Sequence, residues 1–209
     1  MSFRTEEKLK INSSKFFELE NWIINNGGYK LYPTRIINSI YFDNNEYKMF
    51  HNSMEGITPR KKIRLRTYNT KNFFKSDFKI QKEIKITSAE GRFKISHEFT
   101  NNIDKIFLGI YDKNYGFCYP VLNVLYERDY YKIKNVRLTV DKNITYKKFI
   151  DKNISNLYTN DSFNVAEIKQ SSSKFSNIFN KNFPFDRSRF SKYCRGIEFT
   201  KYNYCNELF

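Results

Sequence analysis

The sequence has little of the chemistry that binds soft metals or cycles redox state. It contains two histidines, His51 and His97, and three cysteines, Cys118, Cys194 and Cys205. The cysteines stand in no CxxC spacing and their number is odd. That argues against a disulfide framework and a zinc site, and it fits buried or free thiols in a reducing cytosol. No apolar run approaches the ~20 residues of a membrane-spanning helix. The opening MSFRTEEKLK has no apolar h-region, so no secretory signal is expected and a cytoplasmic location is. There is no G-x-G-x-x-G, no βαβ repetition, no Ser- or Thr-rich linker and no internal repeat. The 209 residues, 1–209, are therefore expected to form one domain with room for a real core.

What the chain does have is positive charge and aromatic rings. Aromatics make up 18% of residues, so Phe and Tyr are expected to supply core volume and rims that aliphatics usually supply. The formal charge of +15 implies an anionic partner: nucleic acid, a phosphate-rich molecule or polymer, or an acidic membrane surface. No RNA-recognition or helix-turn-helix pattern appears, so specific nucleic-acid binding is not expected. Lys, Asn, Ile and Tyr are abundant throughout, so a single lysine carries little weight.

Read in order, Arg4 to Ile11 alternates as a strand, and Asn12, Ser13 and Ser14 offer an N-cap for a helix from about Lys15 to Asn25. Ile36 to Asp43 reads as a strand, after which Asp43, Asn44 or Asn45 caps a short helix closed near Gly56. Lys61 to Tyr68 (K-K-I-R-L-R-T-Y) is the next strand, followed by Phe78 to Ile86 and its hairpin partner Arg92 to Phe99. A helix is expected within Asn101 to Tyr111, then strands at Val121 to Lys132, Val136 to Asp141 and Phe163 to Lys169. Ser171 to Ser173 can cap a helix from about Lys174 to Asn180, and Ser188 to Arg195 reads as a last short helix.

Several of these strands carry ions of both signs on one face and apolar side chains on the other. In the strand Lys61 to Tyr68, Lys62, Arg64 and Arg66 share a face, about 7 Å apart, and repel one another unless an anion lies opposite. A sandwich with its charges in water gives this alternation. So does an α+β fold built as an antiparallel β-barrel tunnel of roughly eight strands, its charged faces inward and its apolar faces covered by outer helices.

The segments R-T-E-E-K, S-I-Y-F-D, K-I-R-L-R-T-Y, E-I-K, Y-E-R, V-R-L-T-V-D, A-E-I-K and S-K-Y occur here in that order, from Arg4 to about Glu198. Together they resemble the catalytic domain of the vacuolar transporter chaperone (VTC) polyphosphate polymerases, of the triphosphate tunnel (CYTH-like) superfamily. The resemblance implies an antiparallel β tunnel with a basic interior. In it the γ-phosphoryl group of ATP passes to a growing polyphosphate with the help of Mn²⁺ or Mg²⁺. ATP and polyphosphate are then the expected partners. Carried over by motif, Arg64 and Arg66 would grip phosphate, with Lys8, Lys85, Arg128 and Arg137 adding to the lining. Lys192 would reach in from the C-terminal helix and join Arg64 and Arg66 in catalysis. Glu167 would bind the metal, with Lys169 beside it. Whether Lys94 or Arg92 lines the tunnel stays open.

The resemblance also has edges. Triphosphatases of the superfamily carry an E-x-E-x-K strand, whereas here R-T-E-E-K leaves only Glu6 in phase with Lys8. Eukaryotic relatives add a phosphate-sensing domain and membrane helices. Moving product across a membrane would fall to a separate membrane partner. Other readings remain for single residues: Lys8, Lys85 and Lys169 as solvated lysines, Lys192 as a helix C-cap, and Glu167 as an ion-pair partner. Tyr41, Tyr68 and Tyr193 read as packing residues, Asp43 as an N-cap and Asp141 as cap or ligand. A tunnel triphosphatase and a non-catalytic polyanion or RNA module are the rival functions.

Overall fold

The period-2 pattern becomes a sheet. A computed structural model describes residues 5–74, 78–100, 103–150, 153–170 and 183–202. Its elements begin with β1 (Thr5–Asn12), α1 (Ser13–Asn25), β2 (Tyr29–Asp43), α2 (Lys48–Glu55), β3 (Arg60–Tyr68), β4 (Gln81–Ser88) and β5 (Gly91–Glu98). A 3-10 turn (Ile103–Leu108) leads to β6 (Ile110–Asp112), β7 (Gly116–Ile133), β8 (Val136–Ile150), β9 (Asn153–Ile154), β10 (Thr159–Asn160), β11 (Phe163–Gln170) and α3 (Lys192–Lys201). Hydrogen-bonded neighbours run β1-β11-β8-β7-β2-β3-β4-β5, with β6 on β7 and both β9 and β10 on β8. The fold is a mostly antiparallel sheet with few helices, as expected. The path of pairing ends at β1 and β5, so the pairings themselves do not show a closed barrel.

The chain forms two compact units, and β2, β7 and β8 run through both. The first comprises Met1–Arg35, Tyr126–Ile144 and Asp161–Phe190; the second Ile36–Leu125, Thr145–Asn160 and Ser191–Phe209. In the first unit, one face of β1, β11 and β8 supplies Leu9, Ile11, Ala166, Ile168, Leu138 and Val140 to a core. Helix α1 closes that face with Leu19 and Ile23, the i, i+4 stripe expected of an amphipathic helix. The apolar face therefore looks at a helix, and the charged face lies on the other side of the sheet.

In the second unit Ile40, Phe42, Ile63 and Leu65 are buried on one face of β2 and β3. Helix α3 packs so closely on β7 and β8 that a Cβ on Gly196 would lie 2.5 Å from Leu122 Cδ2 and 2.7 Å from Tyr146 Cδ1. Only glycine allows this approach. Further along the apolar face, Phe93 and Ile95 of β5 stay exposed.

Several boundaries differ from the sequence reading for physical reasons. Strand β2 starts at Tyr29 rather than Ile36, because its first half is exposed or half-exposed and shows no apolar alternation. Residues 103–108 form a 3-10 turn rather than an α-helix. Gly109, at φ +85°, ends it after six residues. The last helix starts at Lys192, not Ser188, since Leu9 bridges to Arg187 and the Ser188 N–H donates to the Lys8 carbonyl. These pairings hold residues 187 and 188 extended until Ser191 caps the helix, its hydroxyl accepting from the Cys194 N–H. The expected helix from Lys174 to Asn180 lies outside the described residues, as do Arg4 and Cys205. Cys118 and Cys194 are buried free thiols, as expected. Among the described residues no helix is long and apolar enough to cross a membrane.

Candidate functional site

Each unit presents one charged sheet face. In the second unit the register sets Lys62 of β3 opposite Lys85 of β4, and Lys85 opposite Lys94 of β5. The next row is Tyr41, Arg64, Glu83 and Ser96, and the next Ser39, Arg66, Gln81 and Glu98. Directly opposed like charges oppose sheet pairing, so a row of three lysines is a cost borne for something else. Arg92 pairs with Thr87 on the same face, one row beyond Lys94. Both residues left open by the sequence thus share the charged face. Lys94 reaches the Glu83 carboxylate, and Arg92 is exposed.

Glu83 is the anion that holds three of these cations, Arg64, Arg66 and Lys94. Arg64 donates through Nε at 2.6 Å and approaches through Nη2 at 2.5 Å, while Arg66 Nη1 lies 3.5 Å away. Arg66 is buried and also donates from Nε to the Ser39 hydroxyl at 3.1 Å. Burial alone would raise the Glu83 carboxyl, but Arg64, Arg66 and Lys94 outweigh it and bring it from an ordinary 4.5 to about 2. A carboxyl depressed in the fold stabilises it above its unfolded value and loses that contribution as pH falls between the two. Glu83 is 2% exposed, so the loss from about pH 4.5 to about pH 2 should be on the order of 3 kcal/mol. Acid unfolding of Glu83→Gln, followed by circular dichroism, is expected to lack this limb. An unchanged acid limb would count against the coupling.

Beside Arg64 stands Tyr41, whose hydroxyl accepts from Arg64 Nη1 at 2.9 Å. Its ring stacks on Tyr193 with centroids 5.2 Å apart. The Tyr193 hydroxyl donates to Asp43, which also accepts the N–H groups of Met49 and Phe50 at 3.0 and 2.9 Å. Asp43 thereby caps α2 from a distance, although the N-cap residue itself is Tyr47. Lys62 donates to the Ser191 hydroxyl at 2.8 Å. Lys192 is the first residue of α3, not a C-cap. A cation at a helix N-terminus opposes the macrodipole, so its position does not serve the helix. Its charge is felt at Tyr41.

In the first unit, Glu6, Lys169 and Arg137 form one cross-strand row, and Lys8, Glu167 and Thr139 the next. Glu167 is 6% exposed and lies 3.0 Å from Lys169, which is also 3.7 Å from Glu6. Lys8 donates to the Phe190 carbonyl at 2.8 Å. Arg128 grips Asp141 at 2.5 and 2.8 Å, a fork-to-fork pair with the carboxylate fully buried. Burial alone would lower the Arg128 pKa, yet Asp141 raises it well above its ordinary value. Arg137 is exposed on the same face.

The structure thus gathers Arg64, Arg66, Lys85 and Lys192 in one unit and Lys8, Arg128, Arg137, Glu167 and Lys169 in the other. Sequence reasoning did not single out Glu83 or Tyr41 as site residues. The phase of E-I-K against R-L-R hinted at the first, but only the register identifies its partners. Among the described residues no three His, Cys, Asp or Glu side chains cluster as a metal cage. Hard divalent ions bind readily through one or two carboxylates plus phosphate oxygens and water. A buried carboxylate such as Glu167 among cations fits an ion that arrives with phosphate.

The model of one family, described as VTC domain, matches residues 3–116 and 109–201. No protein of curated function matches the chain. Among solved structures, a candidate adenylate cyclase from Vibrio parahaemolyticus aligns with TM-score 0.53 and 13% identity. The alignment covers 94% of this chain and 98% of that one, a likeness of fold. A protein from Pyrococcus horikoshii OT3 aligns with TM-score 0.49 and 16% identity over 82% of this chain and 80% of that one.

Proposed function

The chain belongs to the VTC domain family, and on that premise we propose that it is a polyphosphate polymerase moving the γ-phosphoryl group of ATP onto a growing polyphosphate. The observation that carries this reading is the face of β3, β4 and β5. There the Lys62, Lys85 and Lys94 row adjoins Arg64 and Arg66, with one buried carboxylate among five cations. A sheet face with that excess of positive charge is built for a polyanion.

Phosphoryl transfer needs little covalent help from a protein and much positioning and charge stabilisation. Arg64 and Arg66, fixed by Glu83, present planar forks to phosphate oxygens. Lys192 adds a point charge at the transferring group, and Lys8, Lys85, Arg128, Arg137 and Lys169 bind the chain. A terminal polyphosphate oxygen attacks the γ-phosphorus as the bond to the β-bridging oxygen breaks, releasing ADP. Glu167 would hold Mn²⁺ or Mg²⁺, which would neutralise charge on the phosphoryl oxygens. Cytoplasmic action and delivery of product to a separate membrane partner are parts of the same proposal.

Strand β1 favours transfer to phosphate over transfer to water. Glu6 shares the face of Lys8, whereas Glu7 points to the other face and pairs with Arg187. A triphosphatase with paired glutamates on this strand would need both inward. Incubation with ATP and Mn²⁺, with product size read on a gel, decides. Long polyphosphate is expected; free phosphate alone would make the chain a triphosphatase, and neither product would make it a binding module.

A further inference from the structure

Tyr41 does more than pack. It is buried near the C-terminal end of β2, its hydroxyl 2.9 Å from Arg64 Nη1, while Glu83 holds the same guanidinium by Nε at 2.6 Å. A partner at Nη1 and another at Nε fix the plane of the fork. The ring in turn is held by its stack on Tyr193, whose hydroxyl is anchored on Asp43. We propose that Tyr41 is a positioning residue for Arg64, and that the site takes a polyanion only while the Tyr41 hydroxyl keeps its proton. The inference rests on the reading of this face as a phosphate site.

A neutral hydroxyl accepts one hydrogen bond from Arg64 and leaves its charge for the ligand. A phenolate would instead form an ion pair with Arg64 and compete with phosphate for it. Among the described residues, Arg64 and Arg66 of β3 and Lys192 of α3 act on Tyr41, with Glu83 of β4 behind Arg64 and Tyr193 of α3 stacked on the ring; Lys62 of β3 lies over the Tyr193 ring, and Asp43 at the end of β2 accepts from its hydroxyl. Burial opposes ionisation of Tyr41, but Arg64, Arg66 and Lys192 outweigh it and bring the phenol down to about 8. Phosphate bound to the same cations cancels their pull and raises the phenol again. By linkage, ionisation weakens phosphate binding by the factor by which phosphate binding disfavours ionisation.

The test is calorimetric binding of inorganic tripolyphosphate to the full chain from about pH 7 to about pH 9, in wild type and Tyr41→Phe, with tyrosinate absorbance followed in parallel. The variant keeps the ring and its stack. At about pH 7 it should bind about tenfold more weakly, the worth of one charge-assisted hydrogen bond. Wild-type affinity should fall as pH passes about 8, in step with a tyrosinate signal that tripolyphosphate shifts upward. Tyr41→Phe should lack both the limb and the signal, so the two affinities converge at the alkaline end. Equal affinities with the same pH dependence would overturn the role of Tyr41 and leave the phosphate site standing. No binding to wild type at any pH would overturn both.

Discussion

Glu167→Gln is expected to lower polymer synthesis from ATP by at least about 10²–10³-fold, the scale seen when one preorganised charge-stabilising group is removed. Glutamine keeps the size of the side chain and its contact with Lys169, 3.0 Å away, so the fold should survive. The loss of a charged partner is expected to cost about 1–3 kcal/mol of stability at most. The two effects separate cleanly, because turnover is read at saturating Mn²⁺ and folding by thermal melting. Full activity in the variant would remove Glu167 as the metal ligand and leave it as an ion-pair partner of Lys169.

Arg64→Ala is expected to raise the Kd for polyphosphate about 10- to 150-fold, the equivalent of roughly 1.5–3 kcal/mol for a lost charge-assisted hydrogen bond. The substitution leaves Glu83 with Arg66 at 3.5 Å and with Lys94, so the buried carboxylate keeps partners. Lys79→Ala makes the same change of charge. Its side chain is 81% exposed and its partner Glu98 lies 3.8 Å away, a surface pair worth little. Binding that responds equally to both variants would reflect net charge, not a built site. Unchanged affinity in Arg64→Ala would mean that the face of β3 does not hold the polymer.

Much of this was legible because strands write their two faces into the sequence. The alternation in K-I-R-L-R and V-R-L-T-V-D put Arg64, Arg66 and Arg137 on charged faces without any knowledge of pairing. The helix expected from about Lys15 to Asn25 was equally plain, and α1 spans Ser13–Asn25. The exposed first half of β2 was not, since a strand wet on both faces has no apolar period to read. Register was also hidden. That Glu83 stands opposite Arg64, and Lys85 between Lys62 and Lys94, depends on turn geometry that periodicity does not encode. Tyr41 read as packing because a stacked ring and a ring whose hydroxyl holds an arginine have the same sequence signature.

Transfer of the γ-phosphoryl group of ATP to polyphosphate leaves a label signature that neither hydrolysis nor binding can give. The most direct measurement uses ATP labelled at either the γ- or the α-phosphorus, with Mn²⁺ and a short polyphosphate primer. The γ-label is expected in lengthening polymer and the α-label only in ADP and unreacted ATP. Gamma-label released only as free phosphate, or absent from every product, would contradict that transfer.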